Sequence, residues 1–207
     1  MFSKLYVFNK MSAPTYYAIV LHSQCSDKAA QFIFDNLVLS YERGGGGLEV
    51  RRQLATSVSP ETVLHVSCSD DHLRRVAEDL EIRKADNEGH IRPVSCEDWS
   101  QWPDTGRVGP LDISDIHRCV QFCIDRVHLP SDLLPGHEDK KFVLAGSPMV
   151  HTYQEHHLVT GFPVHDQEAM QKLTAYWRRG RVFSPPTQDI RDYFGEQIAI
   201  YFAWLGE

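Results

Sequence analysis

Basic charge is in short supply: 21 Lys and Arg stand against 28 Asp and Glu, for a formal net charge of -7 over 207 residues. A general nucleic-acid binder needs the opposite balance to neutralise phosphates, so that class is excluded, although composition leaves room for a local basic patch. Cysteine is sparse too. Cys25, Cys68, Cys96, Cys119 and Cys123 are odd in number, scattered, and include no C-x-x-C pair. That excludes a disulfide framework and suits a reducing, cytosol-facing environment. A mean hydropathy of -0.35 excludes a chain made mostly of membrane spans. Near the start only Leu5-Tyr6-Val7-Phe8 is apolar, too short for a signal-peptide core and without a small-residue cleavage site after it. Residues 1–14 read as a flexible N-terminus. With 42% hydrophobic and 24% charged residues, the rest has enough apolar surface to fold. Its length fits one domain, or one domain with an appendage.

The pattern along the chain is mixed. Thr15 to His22 is rich in β-formers. Ser26 is placed to cap a helix carrying Ala30, Ile33, Phe34, Leu37, Val38 and Tyr41 at helical spacing. After the flexible run Gly44 to Gly47, Leu48, Val50 and Leu54 alternate at period two, as do Leu64, Val66 and Cys68, with Ser57, Ser59 and Pro60 suited to a turn between them. Ser69 with Asp70 and Asp71 opens a second helix built on Leu73, Val76, Ala77 and Leu80. A short strand at His90 to Val94 then completes a βαββαβ order. The predicted fold is therefore α/β (α+β), a ferredoxin-like sheet over residues 15–165 with additional C-terminal helices. Further on, the spacing predicts a helix from about Asp112 to His128, and a short helix from Ser147-Pro148 to about His157. Leu158 to His165 reads as an edge strand, since Pro163 has no N–H for a central ladder. Asp166 is placed to cap the next helix, which ends in Arg178, Arg179 and Gly180.

Several residues invite chemistry and are weighed against plainer roles. His151, His156, His157 and His165 with Asp166 form a histidine-rich stretch. His151 and His156 lie about 140° apart around a helix and share no face, while Glu155 is the i+4 partner of His151. No metal site is expected. Cys119 and Cys123 have ligand-like spacing but fall on the apolar stripe with Val120 and Val127, which points to buried thiols acting as small hydrophobes. The glycine run lacks G-K-[ST], and Asp112, Asp115 and Asp125 lack the glycine and terminal Glu of an EF-hand loop. An RNA-recognition domain shares the βαββαβ order, yet Thr62 to Ser69 carries no stacking aromatic. No catalytic residue is identified.

The last segment carries the most information. Ile190, Tyr193, Phe194, Ile198, Tyr201, Phe202 and Leu205 follow one helical stripe, opposite Asp189, Arg191 and Asp192. From Ile198 onward Ala199, Ile200, Ala203 and Trp204 make the other side apolar as well. A helix apolar all round must be buried in protein or in lipid. Ile198 to Gly206 covers only about 13 Å, under half of a ~30 Å hydrocarbon core. Gly195, inside the pattern, marks a bend.

The run from Asp189 to Gly206, D-I-R-D-Y-F-G-E-Q-I-A-I-Y-F-A-W-L-G, resembles the segment leading into the first transmembrane helix of the anoctamins, a family of calcium-activated chloride channels and phospholipid scramblases. Upstream, Phe162-Pro163-Val164-His165-Asp166 with Glu168, Ala169 and Leu173 is similar to the F-P-L-H-D block of the anoctamin-10-like branch. The resemblance implies a cytosolic ferredoxin-like domain followed, over residues 166–207, by linker helices leading to a first transmembrane helix cut short at its start. It implies contact of Tyr193, Phe194, Gly195, Ile198, Tyr201, Phe202 and Trp204 with membrane lipid or with the transmembrane domain of the full-length protein. Phe162, Pro163, His165 and Asp166 would set the strand-to-helix junction. It also implies a homodimer formed through the missing part, a place on the cytosolic side of the endoplasmic reticulum or plasma membrane, and calcium bound at residues that this sequence does not contain. No cofactor is expected in this chain. Two rivals stand beside this reading: a stand-alone soluble binding module whose last helix folds into its own core, and a metal-dependent hydrolase using His151 and His165.

Overall fold

The structure, a computed structural model, describes residues 14–55, 61–131, 133–137, 143–178 and 185–206. The N-terminal segment 1–13, the Ser57-Ser59-Pro60 turn, and Arg179 and Gly180 lie outside the described residues.

Strand β1 (Tyr17–Leu21) leads into α1 (Asp27–Val38), where the Ser26 hydroxyl accepts from the Ala29 N–H at 3.2 Å as the cap. Strands β2 (Glu49–Gln53) and β3 (Thr62–Ser67) follow, then α2 (Asp70–Asp79), capped by Ser69. Both β1 and β2 pair antiparallel with β3, so they run parallel to each other on either side of it, with α1 as their crossover. This is a split βαβ unit.

The fourth strand departs from the sequence-based expectation. Ile91–Pro93 (β5) pairs with Arg83–Ala85 (β4) in a hairpin of its own, outside the main sheet. Its three residues are all exposed and include Pro93, so it has neither an apolar face to bury nor a full set of donors to offer a ladder. The hairpin is held by Asp86, whose Oδ1 accepts from the Glu88 and His90 N–H groups and whose Oδ2 pairs with Arg92. Lys84 anchors it to the next helix through Asp112 (2.7 Å) and Asp115 (2.5 Å). The edge beside β1 goes instead to β6 (Val159–Pro163), giving the order β2-β3-β1-β6. The α/β class holds; the βαββαβ run that was to end at His90–Val94 does not, because the closing strand arrives only after α3 (Ile113–Asp125) and α4 (Met149–Glu155). In α4 the cap position belongs to Pro148 rather than Ser147, and no side chain caps it.

One main core lies on a single side of the sheet. Ile19, Leu64, Val66 and Val159 meet Ile33 and Leu37 of α1, Leu73 and Val76 of α2, Ile116 and Val120 of α3, and Met149 and Tyr153 of α4. The other side of the sheet carries a smaller cluster, Ala18, Val20 and Val63 with Val164. A third cluster belongs to the C-terminal helices α5 (Gln167–Arg178), α6 (Thr187–Phe194) and α7 (Glu196–Gly206). It comprises Leu173, Ile190, Tyr193 and Ala199, with Ile113 of α3, Ala169, Met170 and Phe202 packed against it.

Burial holds His65, His72 and His117 below the ordinary imidazole value of 6.5. A folded-state value below the unfolded one means that the unfolded chain takes up protons first on acidification. The stability these neutral rings support is therefore complete above about 6.5 and falls as pH drops toward the folded-state values. The urea midpoint is expected to be lower at about pH 5.5 than at about pH 7.5; equal midpoints would contradict the assignment.

Candidate functional site

The residues with a functional pattern converge where the sheet hands over to the C-terminal helices. The edge strand β6 pairs Phe162 with Ala18 and Pro163 with Tyr17, and the Val164 N–H donates to the Tyr16 carbonyl at 2.9 Å. Pro163 sits at the last paired position, where its missing donor costs least. Asp166 then starts α5: its Oδ1 accepts from the Ala169 N–H at 3.0 Å, and its Oδ2 accepts from Arg107 at 3.1 Å. His165 lies 2.8 Å from the Tyr193 hydroxyl of α6, their rings stacked at 16° with centroids 6.1 Å apart. Burial pushes the Tyr193 phenol up to about 12, so it keeps its proton. The 2.8 Å contact with His165 Nδ1 ties this hydroxyl to the strand-to-helix junction.

Junction residues His165 and Asp166 are thus brought against Tyr193, while Phe162 stands apart on the strand at 38% exposed. Replacing Tyr193 with Phe keeps the ring and removes its polar contacts. It is expected to cost about 1 kcal/mol and to speed amide exchange in α6; unchanged exchange would show that the contact couples nothing.

The helices beyond divide sharply. Helix α6 is held down by Ile190 and Tyr193, but at Gly195 the chain turns with φ 90° and ψ 170° and starts α7 in a new direction. The bend expected at this glycine is a complete break. Among the described side chains of α7 only Ala199 is buried, and Phe202 packs partly against the cluster. Ile198, Ile200, Tyr201, Trp204 and Leu205 are exposed, Ile200 and Trp204 by 68% and 70%. The candidates for membrane-side contact therefore fall into three sets: Tyr193 and Phe202 face inward; Phe194, Ile198, Tyr201 and Trp204 face outward; Gly195 is the turn. Among the described residues no helix is long and apolar enough to cross a membrane.

A cleft of about 340 Å³ lies between the body and these helices, walled by Arg107, Asp112 and Ile113 on one side and by Lys172, Leu173, Asp189, Asp192 and Tyr193 on the other. Arg107 is engaged by Asp166 and Lys172 by Glu168, so both cations are already paired. Neither Arg107 nor the cleft was foreseen from sequence; Arg107 comes from a loop, where no periodicity marks it.

Cys119 and Cys123 are fully buried in the main core, and burial pushes both thiols up to about 12. Cys123 Sγ lies 3.6 Å from His72 Nε2, but that nitrogen donates to the Gly46 carbonyl at 3.2 Å and so is no base toward the thiol, and burial favours the neutral form of each partner, the opposite of an activated thiolate. His151 reaches Glu155 at 3.5 Å on the surface of α4, and His165 is committed to Tyr193, so the histidine-rich stretch is dispersed over separate contacts.

Comparison with known proteins agrees with the family resemblance. The sequence matches no known family profile. It is 24% identical to human anoctamin-10 over 179 residues, which is 82% of this chain and 27% of that protein. It is 49% identical to mouse anoctamin-8 over 45 residues, covering 22% of this chain and 4% of the relative. With mouse anoctamin-9 it shares 49% over 49 residues, 23% of this chain and 6% of the relative. The similarity to anoctamin-10 over most of the chain, with the shorter matches to anoctamin-8 and anoctamin-9, supports membership of the anoctamin family. The chain spans well under half the length of these relatives.

Proposed function

We propose that this chain is a cytosolic regulatory and structural region of an anoctamin-type membrane protein, and that the exposed side of α7 is its contact with the membrane. The observation that carries the reading is the surface formed by Ile198, Ile200, Tyr201, Trp204 and Leu205. Aromatic and aliphatic side chains left open at one helix suit an interfacial or lipid environment. The α/β body then serves the family's channel or scramblase activity from outside the membrane rather than carrying the pathway. Its cytosolic placement, at the endoplasmic reticulum or plasma membrane, belongs to the same proposal, as do packing against the transmembrane part and a homodimer formed through residues beyond this chain. No catalytic role is assigned to any residue.

Vesicle flotation tests it. The chain should float with phosphatidylcholine vesicles containing phosphatidylserine, and should cease to float when the residues after Glu196 are removed. A chain that stays in the aqueous fraction with or without those residues would favour a stand-alone binding module, a reading to which the inward packing of Ala199 and Phe202 lends support.

A further inference from the structure

Gly195 occupies a backbone region open essentially to glycine alone, with φ 90° and ψ 170°. A Cβ added there would meet nothing within 4 Å, so the requirement lies in the backbone and not in space. The sequence on either side has a different geometry built into it. At about 100° per residue, Ile190, Phe194, Ile198, Tyr201 and Leu205 occupy an arc of about 80° on an uninterrupted helix. Measured from Ile190, the residues Asp189, Arg191, Asp192 and Glu196 fall at about 100° to 260°, together with Ala199, Ala203 and Phe202, while Ile200, Tyr193 and Trp204, at about 280° to 320°, border the stripe and widen its apolar side.

The observed arrangement scatters that stripe. Ile190 is buried, whereas Phe194, Ile198, Tyr201 and Leu205 are exposed. Conversely, Ala199 lies about 180° from Ile190 on a straight helix, yet both sit in one buried cluster. Only the break makes that possible.

We propose that Gly195 is a hinge between two arrangements of residues 187–206. One is the broken form, closed by Ala199 and Phe202 on the α5–α6 cluster. The other is a continuous amphipathic helix whose stripe lies on phospholipid. The choice of lipid rests on the membrane reading above; the hinge itself does not. The closing contact is small, one alanine and part of one phenylalanine. Straightening offers a return in backbone pairing. In the broken form the N–H groups of Glu196, Gln197 and Ile198 open α7 and have no carbonyl within it to bond; the first such bond runs from Ala199 to the Gly195 carbonyl at 3.2 Å. A continuous helix would give those three donors the carbonyls of Asp192, Tyr193 and Phe194.

Those three amides are the readout. Their hydrogen exchange is to be measured by NMR in the parent chain, in Gly195→Ala and in Ala199→Glu, with and without phosphatidylcholine–phosphatidylserine vesicles. Gly195→Ala penalises the break through its backbone. Ala199→Glu expels the closing contact and lands on the polar side of a straight helix. Exchange at residues 196–198 should slow about tenfold or more in both variants in buffer, and in the parent chain on vesicles. If both variants leave these amides fast, or fray α7 altogether, the hinge is overturned. If the variants slow them while vesicles leave the parent unchanged, the hinge stands and the lipid partner falls.

Discussion

Replacing Ile200 and Trp204 together with serine should lower partition into phosphatidylcholine–phosphatidylserine vesicles by about ten- to a hundredfold while leaving the fold unchanged. Both side chains are about two-thirds exposed and neither belongs to a buried cluster, so the folded state loses little. Transfer of each from water to an apolar phase is worth about 1.5 to 3 kcal/mol when complete. Half of that for the pair is about 1.5 to 3 kcal/mol, and every 1.4 kcal/mol is tenfold. A sedimentation assay over a range of lipid concentrations measures the ratio, with thermal unfolding as the control. Partition reduced by less than about threefold would mean that the exposed side of α7 is not what meets lipid.

Truncating Ile190 to alanine should cost about 3 kcal/mol, felt almost entirely by the C-terminal helices. Ile190 is fully buried, but in the small cluster with Leu173, Tyr193 and Ala199 rather than among the residues that back the sheet. Residue-resolved hydrogen exchange is expected to show loss of protection across 167–178 and 187–206, with β1 and β3 unaffected. Uniform loss through the whole chain would show that the two clusters unfold as one unit, and the separate character of the helical appendage would have to be given up.

Much of this was legible in the sequence where the cause is local. Ser26, Ser69 and Asp166 accept from backbone N–H groups at the helix starts where their residue types place them, because a cap depends only on its own next three residues. The apolar spacing of α1, α2 and α3 likewise finds the faces that enter the core. What escaped is non-local. Nothing in Ile91–Pro93 or Val159–Pro163 by itself says which of them pairs with Tyr17–Leu21, since each ends in proline; that is settled by what else is available to bury, and Val159 enters the core while all three residues of Ile91–Pro93 stay exposed. Ala199 escaped for another reason. Counting helical positions across Gly195 assumes one unbroken helix, and the positive φ at that residue resets the phase, so a side chain placed on the outer face is the one that docks. The meeting of His165 with Tyr193 spans 28 residues and two helices, with no motif to announce it.

The position of β6 has a consequence for the order in which the molecule is made. Because the strand that shields one flank of β1 is supplied so late, a chain leaving the ribosome holds β1, β2 and β3 together with that flank still bare. The greasy end of α7 emerges later still, after the junction at His165 and Asp166 that leads into the C-terminal helices. A nascent chain would thus hide its strand edge before it shows its apolar helix, which spares the cell from meeting both sticky surfaces at once.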